Sequence, residues 1–154
     1  MIIWLTGQPG AGKTTLAVEL IRWVRDSAPH LCVFHIDGDN LRSITQNFDY
    51  TLEGRKRNIS NVHAIARYLD HQTDKALVVI SVVAPLRVMR DELKATNQVV
   101  EVYVHTTAVR GREANFSRCY EPPLGDHIDV DTTHISEQEG CEIIVKGSQL
   151  AGFL

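Results

Sequence analysis

Apolar residues along this chain fall into two kinds of stretch, short unbroken runs and longer runs with helical spacing, and the two kinds alternate. Residues 1–6 hold the unbroken run Ile2-Ile3-Trp4-Leu5 and predict a first strand. Residues 13–25 place Leu16, Leu20, Ile21 and Val24 on one face of a helix. A β-branched and aromatic run over 31–36 predicts a second strand, ending at Asp37-Gly38-Asp39-Asn40, where the strand is expected to give way to a loop. Residues 43–53 have no clear period, whereas 54–70 repeat Ile59, Val62, Ala66 and Leu69 as a helix does. Residues 76–84 are apolar nearly throughout, the mark of a central parallel strand covered on both faces. Pro85 is expected to open a helix running to residue 94, because proline is tolerated in a first turn. Residues 98–104 predict a fourth strand and 107–114 a polar helix, followed by a loop over 115–125 marked by Pro122-Pro123 and Gly125. A fifth strand is expected over 127–131, and a closing helix over 136–146 with Ser136 as cap and Glu139 as its capping-box partner. The tail, 147–154, is expected to be loose. This alternation predicts an α/β fold, a doubly wound parallel sheet of about five strands flanked by helices.

Composition narrows the class. At 154 residues the chain suits a single domain, and 44% hydrophobic with 23% charged residues is ordinary for a globular protein. A net charge of −3 gives no electrostatic footprint for duplex nucleic acid, so nucleic acid is not an expected partner and small molecules are favoured. The cysteines Cys32, Cys119 and Cys141 are odd in number and far apart, which argues against zinc and disulfide roles. The longest apolar run, 76–86, is interrupted by Ser81 and Pro85 and falls short of the roughly 20 residues that span a bilayer, so no membrane association is expected. The first residues already belong to the first expected strand, which leaves no room for a targeting segment, and a cytoplasmic location is expected.

The chemistry concentrates after the first strand. Gly7-Gln8-Pro9-Gly10-Ala11-Gly12-Lys13-Thr14-Thr15 has the spacing Gly-x4-Gly-Lys-Thr between a strand and a helix. Glycines allow the tight turn that points successive backbone N–H groups and a helix N-terminus at anionic oxygens. Gly7, Gly10, Ala11, Gly12, Lys13, Thr14 and Thr15 are therefore the expected ATP-binding residues of a P-loop NTPase-type fold, with Lys13 on the β- and γ-phosphates and Thr14 on Mg²⁺. A phosphate loop alone fits a GTPase, an ATPase motor or a small kinase. No Asn-Lys-x-Asp guanine signature is present, and motors are usually larger. Two carboxylates at the end of strand two suit a kinase: Asp37 on the Mg²⁺ side and Asp39 as base toward an acceptor hydroxyl. An ordinary turn is the competing reading of Asp37-Gly38-Asp39-Asn40.

At these residues the chain resembles the adenylylsulfate kinases, which use ATP to phosphorylate the ribose 3′-hydroxyl of adenylylsulfate. Residues 3–15 resemble the family's opening strand and loop, and Asp37-Gly38-Asp39-Asn40-Leu41-Arg42 its Asp-Gly-Asp-Asn-x-Arg motif. Tyr50-Thr51 falls on Phe-Ser, Arg55-x-x-Asn58-Ile59 on Arg-x-x-Asn-Ile, and Ser81-Val82-Val83-Ala84-Pro85-x-Arg87 on Ser-Phe-Ile-Ser-Pro-x-Arg. Asn115-Phe116-Ser117 resembles Asn-Phe-Thr, and Tyr120-Glu121-x-Pro123 resembles Tyr-Glu-x-Pro. The resemblance implies that Arg42, Arg55 and Asn58 hold the phosphosulfate or nearby polar atoms, and that Tyr50 and Phe116 sandwich the acceptor adenine. It also allows a homodimer. The competing reading makes Tyr50 and Phe116 core residues and, without the resemblance, Arg55-Lys56-Arg57 a solvated basic run.

Departures from the family pattern leave the acceptor open. The long lysine-rich lid is missing, since Arg110-Gly111-Arg112-Glu113-Ala114 leads almost directly into Asn115-Phe116. Ala84 replaces a serine, Ser60 and Asn61 replace two arginines, and His105 replaces an aspartate. Three readings follow: an adenylylsulfate kinase, a relative acting on another small nucleotide-type acceptor such as a cytidine diphosphoramidate or modified nucleoside, or a weakly catalytic nucleotide-binding module. Arg110, Arg112 and Arg118 are the cations available to replace the lid, and Arg118 is the expected catalytic one because it lies between Phe116 and Tyr120.

Overall fold

The computed structural model describes residues 1–153. Five parallel strands form one sheet: β1 (Ile2–Thr6), β2 (Cys32–Asp37), β3 (Ala76–Ser81), β4 (Val99–His105) and β5 (Ile128–Asp131), in the order β2-β3-β1-β4-β5. The helices are α1 (Lys13–Ser27), α2 (Gly38–Thr45), α3 (Leu52–Asp70), α4 (Arg87–Lys94), α5 (Glu137–Gly147) and α6 (Leu150–Phe153), with a 3₁₀ turn over Glu113–Asn115.

β1 is central, pairing Ile3 with Val79 of β3 and with Val100 of β4. All five of its residues are buried, because helices cover both faces of the sheet. On one face Ile3 and Leu5 pack with Leu16 and Leu20 of α1 and Ile144 of α5. On the other, Ile2 and Trp4 pack with Ile59 and Val62 of α3 and Leu93 of α4. Each such side chain removed from water contributes on the order of 1.5–3 kcal/mol, which makes β1 the rigid base from which the next residues project. The chain adds β2 and β3 on one side of β1 and β4 and β5 on the other, so the sheet's direction of winding changes at β1. Open α/β sheets bind ligands at the carboxyl edge of that point, and here Gly7 follows immediately.

Four expectations change. Where a loop was expected after Asp37, α2 begins at once. Asp37 is its cap, accepting from the backbone N–H groups of Asp39 and Asn40 at 3.1 Å each, so turn-forming residues start a helix. The helix expected from Pro85 starts two residues later, at Arg87, with Leu86 as its cap in extended conformation. No α-helix forms over 107–114: Gly111 turns with φ +73°, and the Arg110 guanidinium reaches away to the carbonyls of Gly10 and Thr132. The tail is not loose throughout, since α6 docks a fully buried Leu150; Leu154 lies outside the described residues. The capping box of Ser136 and Glu139 forms as expected at the start of α5.

Candidate active site

The phosphate loop owes its shape to three glycines with positive φ, at Gly7 (146°), Gly10 (81°) and Gly12 (101°). At Gly7 a Cβ would lie 1.9 Å from the Val104 carbonyl oxygen of β4, so no side chain fits there. Gly12 delivers the chain into α1 with no side-chain cap, whereas Asp37, Thr51 and Ser136 cap α2, α3 and α5. The first N–H groups of α1 are thus left for an anion. Lys13 is nearly buried and donates to the Gln8 carbonyl at 2.8 Å. Burial lowers its pKa to about 8, against the pull of Asp39 and Asp37, with Arg112 adding to the lowering.

A cavity of about 750 Å³ opens in front of the loop. Of the loop residues singled out from sequence, Gly10, Gly12, Lys13, Thr14 and Thr15 line it. Gly7 and Ala11 stand behind that surface, Ala11 packed into the core against α1. Asp37 and Asp39 line the same cavity but differ in their bonding. The Asp37 carboxylate accepts from Thr14 Oγ1 and Ser81 Oγ, both at 2.9 Å, besides capping α2. Burial raises its pKa, yet the bonds from Asn40, Thr14 and Ser81 and the nearby His35 outweigh that and hold it below the usual carboxylate value. No hydrogen bond among the described residues ties the Asp39 carboxylate, which leaves it available to a ligand.

Arg42, Tyr50, Arg55, Asn58 and Phe116 also line this cavity, all five of which the sequence pattern singled out. Tyr50 and Phe116 are 57% and 43% exposed, so they are not core residues. Arg42 is buried, donates to the carbonyls of Asn47 and Asp49 at 2.9 and 2.8 Å, and stacks its guanidinium 4.5 Å from the Tyr50 ring centroid. Arg55 donates to the Tyr50 carbonyl at 3.1 Å. Asn58 is 2% exposed, and its Oδ1 is buried with no hydrogen-bond partner among the described residues. Such an acceptor costs about 1–3 kcal/mol until a donor reaches it.

With this geometry in view, the comparisons are specific. Residues 1–128 match the family model described as adenylylsulphate kinase. The chain belongs to the adenylylsulphate kinase family. An adenylyl-sulfate kinase of Shewanella baltica is 33% identical, over 86% of this chain and 74% of its own length. A probable adenylyl-sulfate kinase of Pseudomonas aeruginosa is 30% identical, over 96% of this chain and 76% of its own. The solved Mycobacterium tuberculosis APS kinase in complex with AMPPNP and APS superposes with a TM-score of 0.76 over 96% of both chains, at 18% identity, a likeness of fold.

In this chain of the adenylylsulphate kinase family, Arg110, Arg112 and Ala114 border the cavity where the sequence pattern led to the expectation of a lid. Arg118, the sequence's choice for the missing lid cation, is not on the cavity wall; Arg110 and Arg112 are. The reason is the path of the chain, which carries 110–112 across the phosphate loop, where Arg110 donates to the Gly10 and Thr132 carbonyls at 3.2 and 2.7 Å. Sequence reasoning also missed Ser81, whose hydroxyl steadies Asp37, although a lone hydroxyl interrupting an apolar central strand was the available signal. A second cavity of about 630 Å³ shares Gly12, Thr15 and Arg110 with the first and extends along α1 to Thr132 and Ser136. Among the described residues no helix is long and apolar enough to cross a membrane, and no group of His, Cys, Asp and Glu side chains is arranged to hold a metal by itself.

Proposed function

We propose that this chain transfers the γ-phosphoryl group of ATP to the ribose 3′-hydroxyl of adenylylsulfate, giving ADP and 3′-phosphoadenylylsulfate. The observation that carries this reading is that one cavity is lined both by the phosphate loop and by Asp39, Arg42, Tyr50, Arg55, Asn58 and Phe116. In the reaction the bond from the γ-phosphorus to the β-phosphate bridging oxygen breaks, a bond to the 3′-oxygen forms, and the hydroxyl proton passes to Asp39. Lys13 and the N-terminus of α1 oppose the charge on the phosphates. The ATP nucleoside occupies the second cavity, which meets the first at Gly12, Thr15 and Arg110. Tyr50 and Phe116 stack the acceptor adenine, and Arg42, Arg55 and Asn58 face its phosphosulfate.

The donor set at Thr14 and Asp37 fits Mg²⁺, a hydroxyl and a carboxylate oxygen already 2.9 Å apart and both hard ligands. When bound, Mg²⁺ neutralises phosphate charge. On the lid side Arg112, rather than Arg118, supplies the cation nearest Lys13. We further read the whole chain as one kinase domain, acting in the cytoplasm where ATP is supplied and its free cysteines stay reduced. A homodimer is compatible with this reading, and sedimentation tests it directly.

The short lid and the Ser60-Asn61 pair favour a second reading, in which the same chemistry serves another small nucleotide-type acceptor. A screen of adenylylsulfate, adenosine nucleotides and cytidine nucleotides for ADP release with Mg-ATP separates the two. The first reading requires adenylylsulfate to give the highest kcat/KM in that panel. Release driven best by another acceptor replaces it with the second, and release driven by none leaves a nucleotide-binding module.

A further inference from the structure

Gln8 of the phosphate loop reaches with its side chain across to the acceptor wall. Its amide clasps the backbone of Ser117 with two hydrogen bonds: Nε2 donates to the Ser117 carbonyl at 3.0 Å, and the Ser117 N–H donates to Oε1 at 2.9 Å. Ser117 is buried and directly follows Phe116, which the proposed function places against the acceptor base. Through its own carbonyl Gln8 also accepts from the Lys13 ammonium at 2.8 Å. One residue therefore touches the lysine that serves the donor phosphates and the backbone that aims the acceptor's aromatic face.

The other ties on this segment lie farther along. Tyr120 shares a hydrogen bond with Thr6 Oγ1 at 3.0 Å, and the Glu121 N–H donates to the Pro85 carbonyl at 2.7 Å. On the near side only a single 3₁₀ turn over Glu113–Asn115, itself exposed, precedes Phe116. Beyond the local bond from the Phe116 N–H to the Glu113 carbonyl at 3.1 Å, the clasp is thus the nearest fastening of Phe116 to another part of the fold, and it is anchored on the loop whose Lys13 would meet the donor phosphates.

We infer that Gln8 is a positioning residue that sets Phe116 from the phosphate loop, so that nucleotide in the donor site orders the wall of the acceptor site. A chain whose lid is short has reason for such a link, because no long segment folds over both substrates to couple them. The inference rests on the proposed function for the identity of the acceptor, but not for the existence of the coupling.

Amide hydrogen exchange with Mg-AMPPNP as the probe tests it on the whole chain, in the parent, in Gln8→Met, which keeps length and volume without the amide, and in Gln8→Glu, which keeps only the acceptor half of the clasp. In the parent, AMPPNP slows exchange at Ser117. In Gln8→Met, Ser117 exchange rises roughly tenfold and AMPPNP no longer slows it, while protection within α1 by AMPPNP is retained. In turnover with adenylylsulfate, Gln8→Met raises the acceptor KM more than it lowers kcat, and combining it with Phe116→Ala adds no further KM increase, as expected when one residue acts through the other. Ser117 exchange that ignores both the substitution and the nucleotide overturns the inference, as does a KM cost undiminished in the Phe116→Ala background. If Gln8→Met does not fold, the same two measurements on Gln8→Glu decide the matter, with faster Ser117 exchange expected because half of the clasp is gone. Failure of the parent to use adenylylsulfate refutes the proposed function instead, and leaves the exchange measurement to decide the clasp.

Discussion

Two aspartates separated by one glycine are held in opposite ways, and the proposed function divides their work along that contrast. Asp37 is held in place by Thr14, Ser81 and the two N–H groups of α2, with Thr14 the bond that Mg²⁺ would replace, whereas the Asp39 carboxylate faces the cavity free of protein donors among the described residues. A base must be free to take a proton, and a ligand-side anchor must not move. Asp39→Asn is therefore expected to lower kcat by about 10²–10⁴-fold while leaving Mg-ATP affinity nearly unchanged. Asp37→Ala removes a helix cap, costing on the order of 1 kcal/mol of stability, and weakens Mg-ATP as well. Equal loss of Mg-ATP affinity in both, by calorimetry, would show that the roles are not divided in this way. At the same scale, Tyr50→Ala and Phe116→Ala should raise the acceptor KM by about 5–150-fold each, with the ATP KM changed far less, since base stacking contributes about 1–3 kcal/mol. A larger effect on ATP would move both rings to the donor side. All these residue types were visible in the chain. Their bonding was not, because Ser81 and Gln8 meet their partners across 44 and 109 residues of sequence.

Elements were legible where one signal dominated. The unbroken run of β3, the glycine spacing between β1 and α1, and the Ser136 box of α5 each specify their structure locally. They were illegible where one residue type serves two local options, as Asp37 caps a helix instead of ending in a turn, and where a long-range contact intervened, as Arg110 leaves a helical path to bond Gly10 and Thr132. One contact between elements also sets a pH response. His63 of α3 meets Trp4 of β1 edge-on at 5.7 Å, bonds the Met89 carbonyl of α4 through Nε2 at 2.8 Å, and has Nδ1 3.8 Å from Glu92. Burial lowers its pKa, and Arg67 assists, while the Met89 carbonyl and Glu92 push back less strongly. Between that lowered value and the unfolded value of about 6.5, the unfolded chain binds more protons than the folded one, so stability rises with pH through the window and is lost as pH falls below about 6.5. Urea midpoints should accordingly drop on acidification from pH 7 to pH 5.5, and His63→Gln should flatten the dependence. An unchanged slope in that variant would assign the acid sensitivity to His35 of β2 instead, whose pKa burial also lowers against the pull of Asp37.

For the whole molecule, the order β2-β3-β1-β4-β5 brings the phosphate loop, the Asp37-Asp39 segment and residues 114–116 to one cavity, and that is the side on which the sequence pattern lacks the expected lid. A lid in a phosphoryl-transfer enzyme excludes water and completes the charge around the transferring group. Here 110–112 lies across the phosphate loop, with Arg112 near enough to Lys13 to affect its charge, so cationic closure is supplied from one side only. On the proposed function, water is expected to reach the γ-phosphate more readily than in a lidded relative. The parent should show a larger acceptor-free share of ATP hydrolysis than such a relative assayed alongside it, with phosphate release measured in the presence and absence of acceptor. Arg112→Ala should slow transfer by about 10-fold or more, as loss of one electrostatic contact to a developing charge does, and Arg118→Ala, whose side chain stands off the cavity, should cost less. Tight coupling in the parent together with the greater loss in Arg118→Ala would mean that the 116–121 segment swings over the site on binding and closes it from the opposite side.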